Sequence, residues 1–247
     1  MNLDTSNAAA SGLIYLAEVD STNLELARRN QVEPLPDRTV LAASLQTAGQ
    51  GRLGRSWVSE PETSLSVSVL LRPTEPRSLP WATLTAAASV RHAIEFLTKV
   101  KPEVKWPNDV LVDGKKVCGI LAQLQPDGSL VLGVGINLKT QHGAPDTATS
   151  LQVLGFEVGF DEMLARFLDA FFVRWDIFQR FFDAAVEKTR NELIEHSATI
   201  GSKVRAELPD GSELIGMAVD LDSMGQLVIN TPEPVVLSAA DVWHLRN

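Results

Sequence analysis

Apolar and polar residues follow the patterns of β-strands in several short stretches. Residues 65–70 alternate with the two-residue period of a strand, residues 13–17 form an apolar run, and residues 39–45 and 130–138 are predicted as further strands. Asp113-Gly114 and Asp127-Gly128 lie between apolar runs, and an Asp-Gly pair in that position is a strong hairpin signal. These patterns predict strands joined largely as an antiparallel meander.

Three stretches carry helical signals instead. Thr22 followed by Glu25 has the form of a capping box, which predicts a helix over 22–30. Helical spacing of apolar residues predicts a second helix over 79–100, built on Trp81, Leu84, Ala88, Ile94 and Leu97. A third, long helix is predicted over 161–196. We assign its aromatic stripe to the core: Phe167, Phe171, Phe172, Trp175, Phe178, Phe181 and Phe182.

The sequence pattern changes near residues 199–201 from that of a long helix to that of short strands. From 200 to 247 the sequence has short strands with turn signals at 209–211 and 223–225, which is typical of a small all-β domain. Residues 1–11 are rich in Ala, Ser and Asn and predict a flexible tail. The expected organisation is a tail over 1–11, a main domain over 12–199 and a β domain over 200–247. The expected fold class is α+β, with a central mixed or antiparallel sheet flanked by helices.

Composition narrows the classes of function. The 247 residues include 22 Lys and Arg against 31 Asp and Glu, and a net charge of -9 argues against a large nucleic-acid footprint. We therefore expect no DNA partner. The start of the chain has no basic signal region, and no apolar run reaches membrane-spanning length, so we expect a cytoplasmic protein without a membrane contact. The single cysteine, Cys118, lies in an apolar strand pattern and is interpreted as a packing residue.

The glycine-rich stretch 46–57 is the most informative local feature. Gly49, Gly51 and Gly54 match the spacing of the dinucleotide fingerprint, but that fingerprint must open directly into a helix. Here a strand pattern follows, so the arginines Arg52 and Arg55 are left to neutralise an anionic ligand. The pattern indicates an anion clamp.

Several motifs together resemble one family. They are Asp20-Ser21-Thr22-Asn23, the loop from Gln46 to Trp57, Lys105-Trp106-Pro107-Asn108-Asp109, Lys116-x-x-Gly119-Ile120 and Gly133-Val134-Gly135-Ile136-Asn137. In this order they resemble the biotin protein ligases. The resemblance is specific from about residue 13 to 138 and weaker through the C-terminal part, where 241–246 is similar to the family's ending.

The resemblance implies an activity and its partners. Members activate biotin with ATP and Mg²⁺ to biotinyl-5'-adenylate and transfer the biotinyl group to a lysine of a biotin carboxyl carrier protein domain. It also implies an SH3-like barrel at the C-terminus. Only about a dozen residues precede the first strand, so we expect the ligase-only form without the N-terminal DNA-binding domain of some members.

The resemblance and the chemistry of the residues assign roles. Attack of a carboxylate on a phosphate needs cations, and the catalytic assignment goes to Arg52 and Lys116. For biotin we expect Ser21, Thr22, Asn23, Gln46, Gln50, Gly51, Arg52, Lys116 and Gly119. For the nucleotide we expect Arg52, Arg55, Trp57, Lys105, Asn108, Lys116 and Asn137. Asp109 either holds Mg²⁺ or the α-phosphate network, or orders Asn108 and Lys105, and Lys115 is assigned to solvent.

This chain also departs from the family pattern. Gln50 stands where members most often carry Arg or Lys, which removes one charge from the clamp. No tryptophan occurs over 139–151 to stack on adenine, so the adenine contact is unassigned. Three alternatives stay open: a lipoate ligase or lipoyl transferase, a nicotinamide-dependent oxidoreductase, and a non-enzymatic nucleotide sensor.

Overall fold

The computed structural model describes residues 3, 5–6, 10, 12–208, 212–238 and 241–245. The α-helices are α1 (Thr22–Val32), α2 (Ala82–Thr98), α3 (Phe160–Arg180) and α4 (Phe182–Glu195). The strands of the main domain are β1 (Gly12–Val19), β2 (Thr39–Gln46), β3 (Gly49–Gln50), β4 (Ser56–Trp57), β5 (Ser64–Leu71), β6 (Glu103–Lys105), β7 (Asp109–Val112), β8 (Lys115–Leu124) and β9 (Leu130–Asn137). Five more strands follow: β10 (Lys203–Glu207), β11 (Glu213–Leu221), β12 (Leu227–Asn230), β13 (Val235–Leu237) and β14 (Asp241–His244).

A seven-stranded mixed sheet forms the centre of the protein, in the order β1-β2-β5-β9-β8-β7-β6. Only β1 and β2 pair in parallel, and the other neighbours are antiparallel. The predicted hairpin at Asp113-Gly114 is present, with φ of 49° and 72°, a left-handed conformation that this dipeptide accepts at low cost. The expected fold class is confirmed.

The two faces of the sheet have different chemistry. Along β5, Leu65, Val67 and Val69 belong to the main core with α2 and α3. Ser66 and Ser68 point to the opposite face, where Leu70 packs with Leu26 of α1. Because successive strand residues face opposite sides, the serine-valine alternation of β5 separates an apolar core from a polar, buried surface under α1.

The C-terminal strands form a five-stranded antiparallel sheet, in the order β13-β12-β11-β10-β14, as expected for an SH3-like domain. Two indoles of the main domain anchor it. The Nε1–H of Trp81 donates to Ser223 O at 3.0 Å, and that of Trp106 donates to Gly225 O at 3.0 Å. These bonds fix the turn between β11 and β12 against the main domain. The other predicted turn, at 209–211, lies outside the described residues.

The long helix predicted over 161–196 is wrong as a single element. It is interrupted at Phe181, whose backbone (φ -139°, ψ 57°) is not helical. The break lets Phe182 pack edge-on against Phe178, with ring centroids 6.1 Å apart, and leaves Phe181 65% exposed. Phe181 is therefore not part of the core stripe.

Other helix boundaries also differ from the sequence expectation. The capping box at Thr22 is wrong: Ser21 occupies the N-cap position, without a side-chain cap bond, and Thr22 is already helical. The second helix begins as a 3₁₀ turn (Pro76–Trp81), which contains Pro80, and becomes α-helical at Ala82.

Part of the predicted tail contacts the main domain. The backbone N–H groups of Thr5 and Ser6 donate to the Asp161 carboxylate at 3.2 and 3.0 Å, and the side chain of Leu3 is buried. The first turn of α3 thus offers an acceptor to two residues of the segment that was predicted as a flexible tail.

Candidate active site

The glycine loop closes over the α1 face of the sheet as a compact turn. The two-residue strands β3 and β4 pair with each other, and a 3₁₀ turn (Arg52–Gly54) lies between them. Gly51 N–H donates to Arg55 O at 2.7 Å, and Arg55 N–H donates to Arg52 O at 3.1 Å. No α-helix follows the glycines, so the dinucleotide-type arrangement is not formed. The turn instead brings both arginines to one pocket.

We call the cavity beneath this turn the first pocket. Its lining includes all nine residues that were expected to bind biotin: Ser21, Thr22, Asn23, Gln46, Gln50, Gly51, Arg52, Lys116 and Gly119. Arg55, Trp57, Asn108 and Asp109, which were assigned to the nucleotide or to metal, line it too. Segments separated by up to about a hundred residues along the chain therefore meet at one cavity.

A buried hydrogen-bond network forms one wall of the first pocket. Gln46 Oε1 accepts from the backbone N–H of Thr22 at 2.8 Å and from its hydroxyl at 3.1 Å, while Gln46 Nε2 donates to Ser66 Oγ at 3.3 Å. Asn23 Nδ2 donates to Gln123 Oε1 at 2.8 Å, and its Oδ1 accepts from Ser68 Oγ at 2.6 Å. The network holds amide and hydroxyl groups in fixed orientations.

Sequence analysis missed the partners in this network, namely Ser66, Ser68 and Gln123. A signal was available for the two serines. Polar residues at every second position of an otherwise apolar strand, as in Ser64-Leu65-Ser66-Val67-Ser68, indicate that one face of that strand meets polar groups. Gln123 carried no comparable signal.

Three glycines let side chains approach the sheet closely. A Cβ on Gly133 would lie 2.2 Å from Asn23 Oδ1, and one on Gly135 would lie 2.5 Å from the Trp57 indole. Gly119 and Gly135 are cross-strand partners on β8 and β9, so they form one flat platform under Trp57. The buried indole N–H of Trp57 has no hydrogen-bond acceptor among the described residues.

Two cations of the site, Lys116 and Arg52, contact the last two residues of the Lys105–Asp109 turn. Lys116 Nζ lies 2.7 Å from Asp109 Oδ1 and 5.7 Å from the Trp57 ring centroid. Arg52 Nη1 donates to Asn108 Oδ1 at 3.2 Å. Burial lowers the pKa of Arg52, an effect that Asp109 opposes, and an arginine stays charged under such a shift. None of the roles that the sequence predicted for Asp109 included an ion pair with Lys116.

A second pocket opens on the other side of Trp57 and Lys116. It is larger, about 380 Å³ against about 130 Å³ for the first, and Asn137, Gln141 and Thr149 contribute to its lining. Asn137 Nδ2 donates to Thr149 O at 3.0 Å, and Asn137 Oδ1 accepts from Gln141 Nε2 at 3.2 Å. Trp57 and Lys116 thus stand between two adjoining cavities.

Lys105 is the one predicted nucleotide residue that lines neither the first nor the second pocket. It lines a third pocket with Arg52, Arg55, Asn108, Asp109 and Trp243. Burial lowers the pKa of its ammonium, while the nearby Asp109 carboxylate acts in the opposite direction. The predicted nucleotide residues are consequently distributed over the three neighbouring pockets.

Within the described ranges, no group of three or more His, Cys, Asp and Glu side chains is placed to hold a metal ion. Cys118 is fully buried, and burial raises the pKa of its thiol, which agrees with a packing role. No helix in the described part of the chain is long and apolar enough to cross a membrane.

Comparison with known proteins decides the family. Residues 15–140 match the Biotin/lipoate A/B protein ligase family, and this segment holds every motif around the first pocket. The chain belongs to this family. It is 37% identical to a biotin–(acetyl-CoA-carboxylase) ligase of Mycobacterium tuberculosis, over 95% of this chain and 89% of that protein. It is 31% identical to the ligase of the same name from Paracoccus denitrificans, over 92% of this chain and 98% of that protein.

Solved structures agree with the sequence relatives. The biotin protein ligase from Aquifex aeolicus, in complex with biotin and ATP, superposes with a TM-score of 0.81 at 30% identity, covering 96% of this chain and 100% of that one. The match extends over both the mixed sheet and the C-terminal sheet.

Proposed function

We propose that this protein is a biotin protein ligase, which uses ATP to form biotinyl-5'-adenylate and then biotinylates a lysine of a carboxyl carrier protein domain. One observation carries the proposal: Arg52 and Lys116 both border a small pocket lined by fixed amides and hydroxyls, and Lys116 also borders the larger cavity beside it. A cation at that boundary can meet a carboxylate from one side and a phosphate from the other.

The smaller pocket suits the ring system of biotin. Its ureido group is neutral and needs both donors and acceptors when it is buried, which the ordered side chains of Ser21, Thr22 and Asn23 provide. Gln46 sets the orientation of Thr22 and Ser68 that of Asn23, so these two side chains lose little entropy on binding.

The larger pocket suits the nucleotide. Val58 and Val153 line it and are each 61% exposed, so an adenine placed against them buries apolar surface. With Trp57 on the inner wall, these two valines supply the adenine contact that the sequence left unassigned. Asn137 offers polar atoms at the same pocket.

In the first reaction, a biotin carboxylate oxygen forms a bond to the α-phosphorus while the bond from that phosphorus to the pyrophosphate oxygen breaks. Two anions must approach each other, so Arg52 and Lys116 offset their repulsion and the charge that develops on the phosphoryl oxygens. The planar guanidinium of Arg52 matches a carboxylate or phosphate with paired hydrogen bonds. In the second reaction, the carrier lysine amine attacks the biotinyl carbonyl and AMP leaves.

Mg²⁺ is proposed to arrive with the ATP phosphates, where it neutralises charge on the leaving pyrophosphate. The donor set fits this role, since Mg²⁺ is usually bound through phosphates, waters and one or two carboxylates, and Asp109 is the carboxylate at the first pocket. To serve the metal, Asp109 must exchange its pairing with Lys116. The cytoplasmic location stays a prediction from composition.

Mass spectrometry of a carrier domain incubated with the protein, ATP, Mg²⁺ and either biotin or lipoate tests the proposal. We expect the mass of one biotinyl group on one lysine and no lipoyl adduct. A lipoyl adduct alone would identify a lipoate ligase, and absence of biotin-dependent pyrophosphate release would indicate a nucleotide sensor without ligase activity.

A further inference from the structure

The C-terminal sheet has one buried and one exposed face. Val204, Ala206, Ala218 and Ile229 point into the common core. The opposite side, which we call the outer face, carries apolar residues that are unusually open to solvent: Ile215 (52% exposed), Met217 (42%), Val219 (43%) and Val236 (48%). Contiguous exposed apolar side chains on a globular protein mark interaction sites more often than chance exposure.

The outer face carries little net charge. Lys203 is the cross-strand partner of Met217, and Arg205 is the partner of Ile215. Arg205 forms an ion pair with Glu213 at 2.7 Å, and its guanidinium lies 4.8 Å from the ring centroid of Trp243. In a chain with a net charge of -9, such a face can receive a protein partner without strong long-range repulsion.

The outer face is continuous with the active site. Trp243 on β14 pairs in register with Arg205 on β10, which pairs with Ile215 on β11. Trp243 also lines the third pocket, whose residues Arg52 and Asp109 belong to the first pocket as well. One row of side chains therefore leads from the reacting groups across the edge of the sheet to its exposed apolar residues.

Distance favours a partner that covers both regions. Neighbouring strands are about 4.8 Å apart, so Ile215 lies about 10 Å beyond Trp243 in the sheet. A stable protein interface covers about 800 Å² per partner, a patch about 30 Å across. A domain whose lysine enters the first pocket thus extends well onto the outer face.

We propose that the outer face of the C-terminal sheet, reached through Trp243 and Arg205, is a docking surface for the carrier domain during biotinyl transfer. The assignment rests on the proposed ligase function and adds the location of the protein partner. The partner's expected chemistry is an apolar patch beside the acceptor lysine, placed to cover Ile215 and Met217.

The test separates docking from chemistry by using two acceptors of the biotinyl group. Hydroxylamine intercepts biotinyl-5'-adenylate as a small nucleophile and needs no docking, whereas a purified carrier domain of acetyl-CoA carboxylase does. The variants are Ile215→Asp, Met217→Asp and the double substitution. Val173→Asp is the matched control, because Val173 is 63% exposed on α3, in the helical layer.

For the double variant we expect the KM for the carrier domain to rise about tenfold or more, as loss of two apolar anchors implies, with hydroxamate formation within about twofold of the original protein. Val173→Asp should match the original protein with both acceptors. If the double variant loses thermal stability, the Ile215→Asp variant is read in its place, with an increase in carrier KM expected in the same direction.

Three results would overturn the docking assignment while leaving ligase function intact. One is an unchanged carrier KM in the folded variants. Another is an equal fall with carrier and hydroxylamine, which assigns the face to the fold. The third is a dimer in sedimentation that the variants dissociate without changing carrier KM, which assigns the face to a second copy. No hydroxamate from the original protein would overturn the ligase function itself, and the docking assignment with it.

Discussion

Lys116 contributes little to the stability of the fold but lies at the centre of the proposed reaction. Its side chain is 34% exposed and that of Asp109 is 20% exposed, so their ion pair is partly hydrated and contributes only modestly to stability. Its charge, in contrast, faces the boundary between the two pockets. The same residue therefore has little to do with folding and much to do with the proposed reaction.

We expect Lys116→Ala to fold normally and to lose adenylation by about 10²-fold or more, because a preorganised charge at the phosphoryl oxygens is removed. Biotin-dependent pyrophosphate release and thermal unfolding measure the two effects. Lys101→Ala is the control, since Lys101 is exposed and lines none of the three pockets. Parallel losses of activity and melting temperature would assign Lys116 to the fold instead.

Gln50 is the position at which the family resemblance predicts one charge fewer in the anion clamp. It lines the first pocket but is itself exposed, so a longer side chain has room there. A charged hydrogen bond to phosphate contributes about 1.5–3 kcal/mol, which corresponds to about one order of magnitude or more in affinity.

We therefore expect Gln50→Arg to slow release of biotinyl-5'-adenylate by about tenfold and to change biotin affinity less, since the phosphate is present only in the intermediate. Stopped-flow measurement of adenylate dissociation decides this, with Gln50→Met as the uncharged control of similar length. Equal release rates would show that residue 50 points to solvent when the adenylate is bound.

At the scale of elements, strands β8 and β9 act as a platform because glycine occurs where they pass under Trp57. The register pairs Gly119 with Gly135, so the absence of two side chains creates one continuous recess. The indole that fills it forms a wall of both pockets. The hydrogen bonding of β8 and β9 is regular. Two glycines, which lack a Cβ atom, give the sheet the recess that receives the Trp57 indole.

Gly135→Ala should displace Trp57, because the new Cβ would lie 2.5 Å from the indole. We expect a changed near-UV circular dichroism signal and a loss of biotin-dependent pyrophosphate release, with a smaller effect on melting temperature. Gly12→Ala serves as the control, since nothing lies within 4 Å of a Cβ at that strand position. If activity and spectrum both match the original protein, the indole accommodates the methyl group and the platform has no such role.

The elements differ in how well sequence predicts them. The hairpin at Asp113-Gly114 follows from local turn chemistry, and the alternation in β5 follows from the period of a strand. No Gly or Pro beside Phe181 signals the break between α3 and α4. The break depends on which of two adjacent phenylalanines packs against Phe178. The capping box at Thr22 was wrong for a similar reason: the Thr22 hydroxyl donates to Gln46, a partner 24 positions away, instead of capping the helix.

At the scale of the whole molecule, the site assembles where motifs from distant segments converge. Motif order and residue type predicted which residues line the first pocket, since glycine and arginine impose local constraints that can be recognised. The pairing of Lys116 with Asp109 and the share of Trp243 in the third pocket depend on the tertiary fold, and no local pattern encodes them. Sequence thus predicted which residues lie together at the first pocket better than it predicted the contacts between them.

Cys118 reports on the integrity of the central sheet. It is completely buried on β8, and burial raises the pKa of its thiol, so the reactive thiolate is not populated in the folded protein at about pH 8. We expect no reaction with a disulfide reagent under native conditions and one equivalent in guanidinium chloride. Absorbance of the released thiolate measures this, and rapid native labelling would contradict the packing around β8.

The two indole anchors bear on where this chain can be cut. Trp81 and Trp106 are 0% and 4% exposed, and the indole N–H of each donates to a backbone carbonyl of the turn between β11 and β12. A fragment that ended near residue 199 would present both rings and two unmet donors to water. It would also release the turn that carries Asn108 and Asp109. The sequence pattern predicts a domain boundary there, but the two indole bonds cross it, so we expect a version truncated near residue 199 to need the missing sheet supplied in trans.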